Sequence, residues 1–555
     1  MCSKNFRFLI LFSIIALFAW RGVCADTADQ TFQDGLFLEY STGDLEKAIE
    51  SYEKVLRNGY ENEELAAKTL LRLGICCERV GRDEDAKNAY QQIISSFPGQ
   101  KKALDTAIKR LQKLSSGLVG DGYWFRYKGA HVYLIGAGTA SIYAGSGLES
   151  GKPVTDDPVR DWKAYIDLLI QHRVNLVRFH PWDFLNHAEV PDYACPWVKT
   201  DDNPTYNLKK FNPVYWSKLK AIISYANARD VFFEIVLFDD DSPWEKHPFN
   251  RRHGGAMKDK SDYHNLKNRR NKENQERYVA KTISETVEFP NVIYEICNAV
   301  GWPGKSLTPS IQNWVSHWVD FIDKRLPAFS KHPVTISQHS WSSGGKLDTL
   351  WKMSGIDIIS VHEKEGTSLA LGKEYTHNNF LKYWRSDYRK PIVINEVSFG
   401  DMRSHPSGGT RGWAEERQHL WSAFASGGHA SRTDFQPFIN TYPSLDACLR
   451  LADFVRQVRF WEMSPFADFT LDCDGVCYGI ASGEEFVLYI RGRAPKGRGK
   501  IKLKLPKGAY DARWYDPVEG CFLPDTQSVD SGSAAFDLPG TATDIVLYVK
   551  KVGGG

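Results

Sequence analysis

The 555-residue chain reads as three folded parts: an α-helical repeat, a (β/α)8 barrel of the TIM type and a C-terminal antiparallel β-sandwich. Three observations predict this. A helical pattern recurs with an offset of 38 residues, from Gly43 to Gly81. Eight short apolar runs then alternate with amphipathic helical stretches, as in a parallel sheet covered on both faces. From about residue 465 the helical period gives way to strict two-residue alternation.

Residues 1–25 read as an export signal. Lys4 and Arg7 precede an apolar run from Phe8 to Trp20. That run is shorter than the roughly 20 residues a bilayer span requires. Val23-Cys24-Ala25 then offers small residues for cleavage after Ala25. The mature chain is therefore expected to be exported: periplasmic, cell-surface or secreted. No later stretch is apolar enough for a membrane helix. The net charge is +2, from 70 basic and 68 acidic side chains, which argues against nucleic acid or an anionic membrane as partner. Most of the 17 tryptophans are expected in the core, and the remainder suit stacking on sugar faces, because Trp offers a large flat apolar area with one polar handle.

Residues 30–115 form the helical part. "GDLEKAIESYEKVL" from Gly43 aligns with "GRDEDAKNAYQQII" from Gly81, with Ala48/Ala86, Tyr52/Tyr90 and Leu56/Ile94 in register. Pro98-Gly99 closes the second unit. The spacing resembles tetratricopeptide repeats. That resemblance implies stacked helix pairs, serving either to dock a protein partner or to cap the next domain. Cys76 and Cys77 are adjacent on a helix and are not expected to face one core together.

Residues 120–460 carry the barrel pattern. Its runs are "HVYLIGAG", "NLVRFHPW", "VFFEIVLFDD", "NVIYEICN", "PVTISQHS", "IDIISVHE", "PIVINEVS" and "HASRTDFQ". A doubly wound sheet is the alternative, but no glycine-rich phosphate loop supports it. Residues 465–551 carry the sandwich: in "KIKLKLP", Ile501, Leu503 and Leu505 share one face and lysines the other. Cys473 and Cys477 flank Asp474-Gly475, so they read either as a local disulfide or as two small buried side chains. No Cys/His spacing fits a metal site, and no metal or organic cofactor is expected.

A barrel builds its site from the C-terminal ends of its strands. The run ends here are polar: Arg178 and His180, Asp239 to Asp241, Asn298, Gln338 and His339, His362 and Glu363, and Glu396. Together they predict one site, lined by the aromatics Trp182, Trp302 and Trp341.

At these residues the barrel resembles the cellulase-like glycoside hydrolases, the clan that includes family 5 and the apiosidase-like families. The stretches are "NLVRFH", "HPFN" with "HGG", "FPNVIYEICN" and "KPIVINEVSFG". "YDARWYDPVEG" resembles a turn of the small sandwich, sometimes labelled collagen-binding, that follows apiosidase-like barrels. The resemblance implies a poly- or oligosaccharide substrate. It implies Glu396 as the nucleophile, Asn298 as the partner of the sugar 2-hydroxyl, Arg178 as the cation steadying Glu396, and His362 at the floor of the subsite. Glu295 lies deeper in its strand and reads as structural. His180, His339, Trp302 and Trp341 are candidate sugar contacts.

One position departs from the pattern. The residue after the strand-four asparagine is the acid/base glutamate in that clan; here it is Ala299. Losing a general acid typically costs about 10² to 10⁴ in rate. Three readings follow. Another carboxyl supplies the proton, with Glu363, Glu365 and Asp239 to Asp241 as candidates and Glu396 as base if the separation is about 6.5–9.5 Å. Alternatively the barrel binds saccharide without turnover, or the reaction needs little acid help.

Overall fold

The computed structural model describes residues 28–553 except 58–61, 81, 115–116, 141–156, 187–190, 201–204, 302–306, 327–331, 340–347, 365–387, 399–409, 432–441, 474, 492–498 and 541–543. The signal segment, Trp302, Trp341 and Glu365 thus lie outside the described residues. The chain divides into two compact units: Met1–Ser116 with Pro327–Lys331, and Gly117–Leu326 with His332–Gly555.

In the first unit, α1 (28–37) is followed by α2 (Leu45–Arg57), α3 (Glu63–Arg79), α4 (Asp83–Ser96) and α5 (Lys101–Leu114). The repeat is visible in its contacts. Glu39 accepts from Tyr52 Oη at 2.9 Å and from Arg72 Nε at 2.9 Å. One repeat on, Glu78 accepts from Tyr90 Oη at 2.6 Å and from Arg110 Nη1 at 2.9 Å. Each tyrosine ring packs closely against a glycine of the preceding helix: a Cβ on Gly35 would come within 2.7 Å of Tyr52, and one on Gly74 within 2.5 Å of Tyr90. Cys76 and Cys77 are both buried in this core, contrary to the expectation from adjacency. The reason is that α3 packs between α2 and α4, so more than one of its faces is covered.

The second unit opens with a three-stranded antiparallel sheet, β1 (Val119–Asp121), β2 (Trp124–Tyr127) and β3 (Ala130–Val132). The barrel strands are β4 (Ile135–Ala140), β5 (Leu176–Phe179), β8 (Phe232–Asp239), β9 (Val292–Asn298), β10 (Val334–His339), β11 (Ile358–Lys364), β12 (Ile392–Ser398) and β13 (His429–Ser431). They close in that order, every pair parallel, which excludes the doubly wound sheet. The antiparallel pair β6 (Trp197–Lys199) and β7 (Tyr206–Phe211) is inserted between β5 and β8. Helices α6 (Pro158–Gln171), α7 (Pro213–Asn227), α8 (Arg269–Thr286), α9 (Pro309–Asp323), α10 (Asp348–Trp351), α11 (Thr410–Ala425) and α12 (Tyr442–Val455) accompany the strands. Asp157, Asn212 and Thr308 cap α6, α7 and α9 through their side chains, each with proline in the first turn.

The run read as "HVYLIGAG" is broken in two: its first residues belong to β3 and the rest to β4. The small sheet plugs the bottom of the barrel. Leu118, Phe125, Tyr127 and Leu134 pack there against the lumen residues Leu176, Phe232, Ile293, Ile358 and Val393.

The C-terminal strands are β14 (Ser464–Pro465), β15 (Phe469–Asp472), β16 (Val476–Ala481), β17 (Glu485–Arg491), β18 (Lys500–Asp516), β19 (Cys521–Asp537) and β20 (Asp544–Lys551), joined in one seven-stranded antiparallel sheet. The long β18–β19 hairpin shifts register between Leu505 and Ala509. Its first half, with Ile501, Leu503 and Phe536, packs with Phe486, Leu488, Leu547 and Val549. The alternate residues Val487, Tyr489, Val546 and Tyr548 join the barrel core instead. Arg417 of α11 donates to Asp544 at 3.0 and 2.6 Å, and Tyr489 Oη donates to the same carboxylate at 2.9 Å. Cys473 and Cys477 are unbridged, as are all the described cysteines. No helix among the described residues is long and apolar enough to cross a membrane.

Gly74→Ala tests the repeat packing. Helix propensity alone would favour alanine by about 1 kcal/mol, yet the clash with the Tyr90 ring should destabilise by about 1–3 kcal/mol. Denaturant unfolding followed by circular dichroism should therefore show a lower midpoint; an unchanged or higher one would mean that the ring yields freely.

Candidate active site

The barrel lumen is layered with a period of two, because alternate strand residues point inward. The floor is apolar: Leu176, Phe232, Ile293, Ile358 and Val393. Two residues further along the same strands every side chain is polar and buried: Arg178, Glu234, Glu295, Ser360 and Asn395. The mouth lies beyond, with His180, Asn298, His362 and Glu396.

Arg178 joins the two upper levels. Its Nε and Nη2 donate to Glu295 at 2.7 and 2.8 Å, a bidentate pair. Nη1 donates to Glu396 at 2.9 Å, and Nη2 also donates to Asn298 Oδ1 at 2.7 Å. Ser337 Oγ donates to Glu295 as well. Glu295, read as structural, is the main holder of the guanidinium.

Glu396 pairs in register with His362 on β11, where a bulge at Val361/His362 brings the two together. His362 Nε2 lies 3.5 Å from the Glu396 carboxylate. The Glu396 side chain keeps 17% of its surface open, while Arg178 keeps 1%. Burial raises the Glu396 carboxyl above its ordinary 4.5, and Arg178 opposes that rise.

Asn298 Nδ2 donates to Asp239 Oδ1 at 2.8 Å. Asp239 also accepts from Asp241 N at 2.9 Å and Ser242 Oγ at 2.5 Å, and lies 3.3 Å from His180 Nε2. Asp240 accepts from Gly301 N at 2.6 Å and faces His264 Nε2 at 3.1 Å. Asp239 thus accepts from three donors and Asp240 from one. Ala299 follows at φ +50°, in the left-handed region, and is 2% exposed.

Arg178, His180, Asn298, His362 and Glu396 are therefore brought together. His339 and Glu363 lie on β10 and β11 at the mouth end of the barrel, His339 in register with His362 and Glu363 with Val397. Trp182 is not at the site. It is buried against Trp197, His247, Phe249 and Tyr278 and donates its indole N–H to Leu237 O at 3.0 Å. Its position just past the strand end suggested a rim, but Trp197 of β6, His247 and Phe249 of the loop after β8, and Tyr278 of α8 cover it.

Glu234, Asn395 and Ser337 escaped the sequence reading. The available signal was a lone glutamate inside the apolar run "VFFEIVLF". Asn395 Nδ2 donates to Glu234 Oε1 at 2.9 Å and reaches Glu295 at 3.5 Å. Burial and the neighbouring Glu295 push the Glu234 carboxyl up to about 8.

No family model matches the chain, and no curated protein matches it. Solved structures do. A glycoside hydrolase family 5 protein from Bacteroides vulgatus ATCC 8482 has 15% identity and a TM-score of 0.54, over 79% of this chain and 94% of that one. The barrel has the fold of the family 5 glycoside hydrolases. A second Bacteroides vulgatus protein, described as a glycoside hydrolase, has 14% identity and a TM-score of 0.55, over 79% of this chain and 83% of its own. At these identities the likeness establishes the fold alone.

The buried charge layer makes two predictions. Glu234 keeps its proton up to about pH 8 when folded, against 4.5 as the ordinary value. Its contribution to stability is thus complete below about pH 4.5 and is lost as pH rises through about 8. Denaturation midpoints should fall between pH 5 and pH 9, and Glu234→Gln should flatten that fall; an unchanged slope would place the proton elsewhere. Arg178→Met should destabilise by about 3–5 kcal/mol by stranding Glu295 and Glu396, and Glu295→Gln in the same chain should restore part of it.

Proposed function

We propose that the chain is a glycoside hydrolase acting on O-glycosidic bonds of a poly- or oligosaccharide, with Glu396 as nucleophile or base. The observation that carries this reading is the Arg178–Glu396–His362 constellation at the open end of a family 5-type barrel. A cation held by Glu295 can keep Glu396 ionised, while burial raises its proton affinity. A carboxyl so raised suits a base that takes a proton from water. Asn298, oriented from below by Arg178 and from the side by Asp239, offers its amide to a sugar hydroxyl.

The acid is proposed to be Glu363, on the strand next to Glu396. Asp239 is set aside as the acid because its oxygens are already committed to three donors, and Asp240 because it is turned to Gly301 N and His264. His180, His339, Trp302 and Trp341 are proposed as sugar contacts. Export through residues 1–25, and a tetratricopeptide-like role for residues 30–115 in docking a protein, belong to the same proposal.

A second reading has a specific observation behind it. Ala299 occupies the position of the acid glutamate in the resembling clan, so the barrel would bind saccharide without cleaving it. Hydrolysis of aryl glycosides and of plant and host polysaccharides separates the two readings. If the chain is an enzyme, Glu396→Ala should lower turnover by at least about 10²-fold, and Glu363→Gln should spare aryl glycosides with good leaving groups more than polysaccharides. Sugar binding without turnover, with activity appearing only in Ala299→Glu, would establish the binding reading.

A further inference from the structure

Behind the mouth, three residues far apart in sequence converge: Asp240 at the end of β8, His264 in the loop before α8, and Cys297 in β9. One carboxylate oxygen, one imidazole nitrogen and the thiol sulfur lie within 4.8 Å of one another. We propose that these three side chains form a binding site for a zinc-like divalent cation, which ties the 241–264 loop to the end of β9. The proposal does not depend on the glycosidase reading.

The decisive detail is at His264. Its Nε2 is buried and lies 3.1 Å from Asp240 Oδ1, yet the two make no hydrogen bond, because the geometry is wrong for one. Two polar atoms this close that do not point at each other are placed as donors are around a shared third point. Asp240 is otherwise held by Gly301 N at 2.6 Å, which leaves Oδ1 for that point. Cys297 is fully buried, and its thiol donates to the carbonyl of the next residue, 3.3 Å away. Tyr263 and Trp314 set their rings edge-on to His264 and wall the cluster off.

The donor set selects the ion. A thiol with an imidazole and a single carboxylate suits zinc and disfavours calcium or magnesium, which require several oxygens. Ligands about 2.0 to 2.3 Å from zinc lie about 3.3 to 3.8 Å from each other in a tetrahedron. The Asp240–His264 pair, at 3.1 Å, already sits near that spacing, and no pair, being within 4.8 Å, has to close by more than about 1.5 Å, leaving a fourth position for water. Binding breaks the S–H bond: the sulfur keeps the electron pair for the metal and the proton leaves to solvent. No electron is transferred. Through Asp240 and Gly301 N the ion would also hold the turn that contains Ala299.

The sequence conceals this site because no two of its residues share a local spacing; each arrives from a different strand or loop. The test uses the full chain, stripped with a chelator and titrated with Co²⁺. A single equivalent should bind with a thiolate-to-cobalt charge-transfer band, Zn²⁺ should displace it, and Zn²⁺ but not Mg²⁺ should raise the unfolding midpoint. Cys297→Ser should abolish the band, and His264→Gln should weaken binding by at least about tenfold, with circular dichroism confirming that both variants fold. If neither variant folds, the wild-type chain still decides by its band and by the zinc-dependent midpoint. Absence of the band, its persistence in Cys297→Ser, or a midpoint indifferent to zinc would overturn the assignment.

Discussion

Everything at the barrel mouth hangs on one buried guanidinium. Arg178 is closed off from solvent, and three carboxyls surround it: Glu295, Glu396 and, one step removed, Glu234. One positive charge cannot neutralise three negative ones in a medium where an uncompensated charge costs several kcal/mol. The layer resolves this by unequal sharing. Glu295 takes the bidentate contact, Glu396 takes the remaining Nη1, and Glu234 keeps its proton. The protonation of the lowest member and the ionisation of the uppermost are thus parts of one balance.

The same balance orients the neutral groups. Asn298 can present its amide N–H₂ only because its oxygen is engaged by Arg178, which fixes which way the amide faces. That N–H₂ then meets Asp239, whose other contacts reach Ser242 and His180. A chain of committed donors and acceptors runs from the middle of β5 to the loop after β8. Polar networks of this kind are rigid when complete and costly when one partner is removed.

Much of this was legible in the sequence, and the limits have physical causes. Most barrel strands stood out, because strands buried on both faces leave near-continuous apolar runs; the eighth, "HASRTDFQ", was weaker, and the first run proved to be shared between β3 and β4. Their polar ends stood out too, so Arg178, His180, Asn298, His362 and Glu396 could be gathered before their contacts were known. The small strands β1 to β3 and the β6–β7 pair did not stand out; three or four residues are too few for a period to declare itself. Glu234 was hidden by the same apolar run that revealed its strand. Trp182 misled because a large aromatic beside a strand end looks the same whether an inserted loop covers it or not. Asp240, His264 and Cys297 have no shared spacing, and only the tertiary fold brings them together.

The buried layer also bears on whether the barrel turns substrate over. Replacing a buried ion network with well-packed apolar groups is often neutral or stabilising, so stability alone gives no reason for Arg178 to sit where an aliphatic residue would pack. Binding a neutral sugar does need polar contacts, but it does not need a carboxylate whose proton affinity is raised by burial and restrained by a cation. A group meant only to accept hydrogen bonds serves best fully ionised and well solvated at the rim. Glu396 is instead mostly buried, backed by Arg178 and 3.5 Å from His362. Such an arrangement holds the carboxylate ready to gain a proton or a bond. On that physical ground the surroundings of Glu396 fit the proposed reading, in which this carboxylate reacts, better than a platform on which sugars only rest, and under that proposal Ala299 bears on the acid rather than on the base.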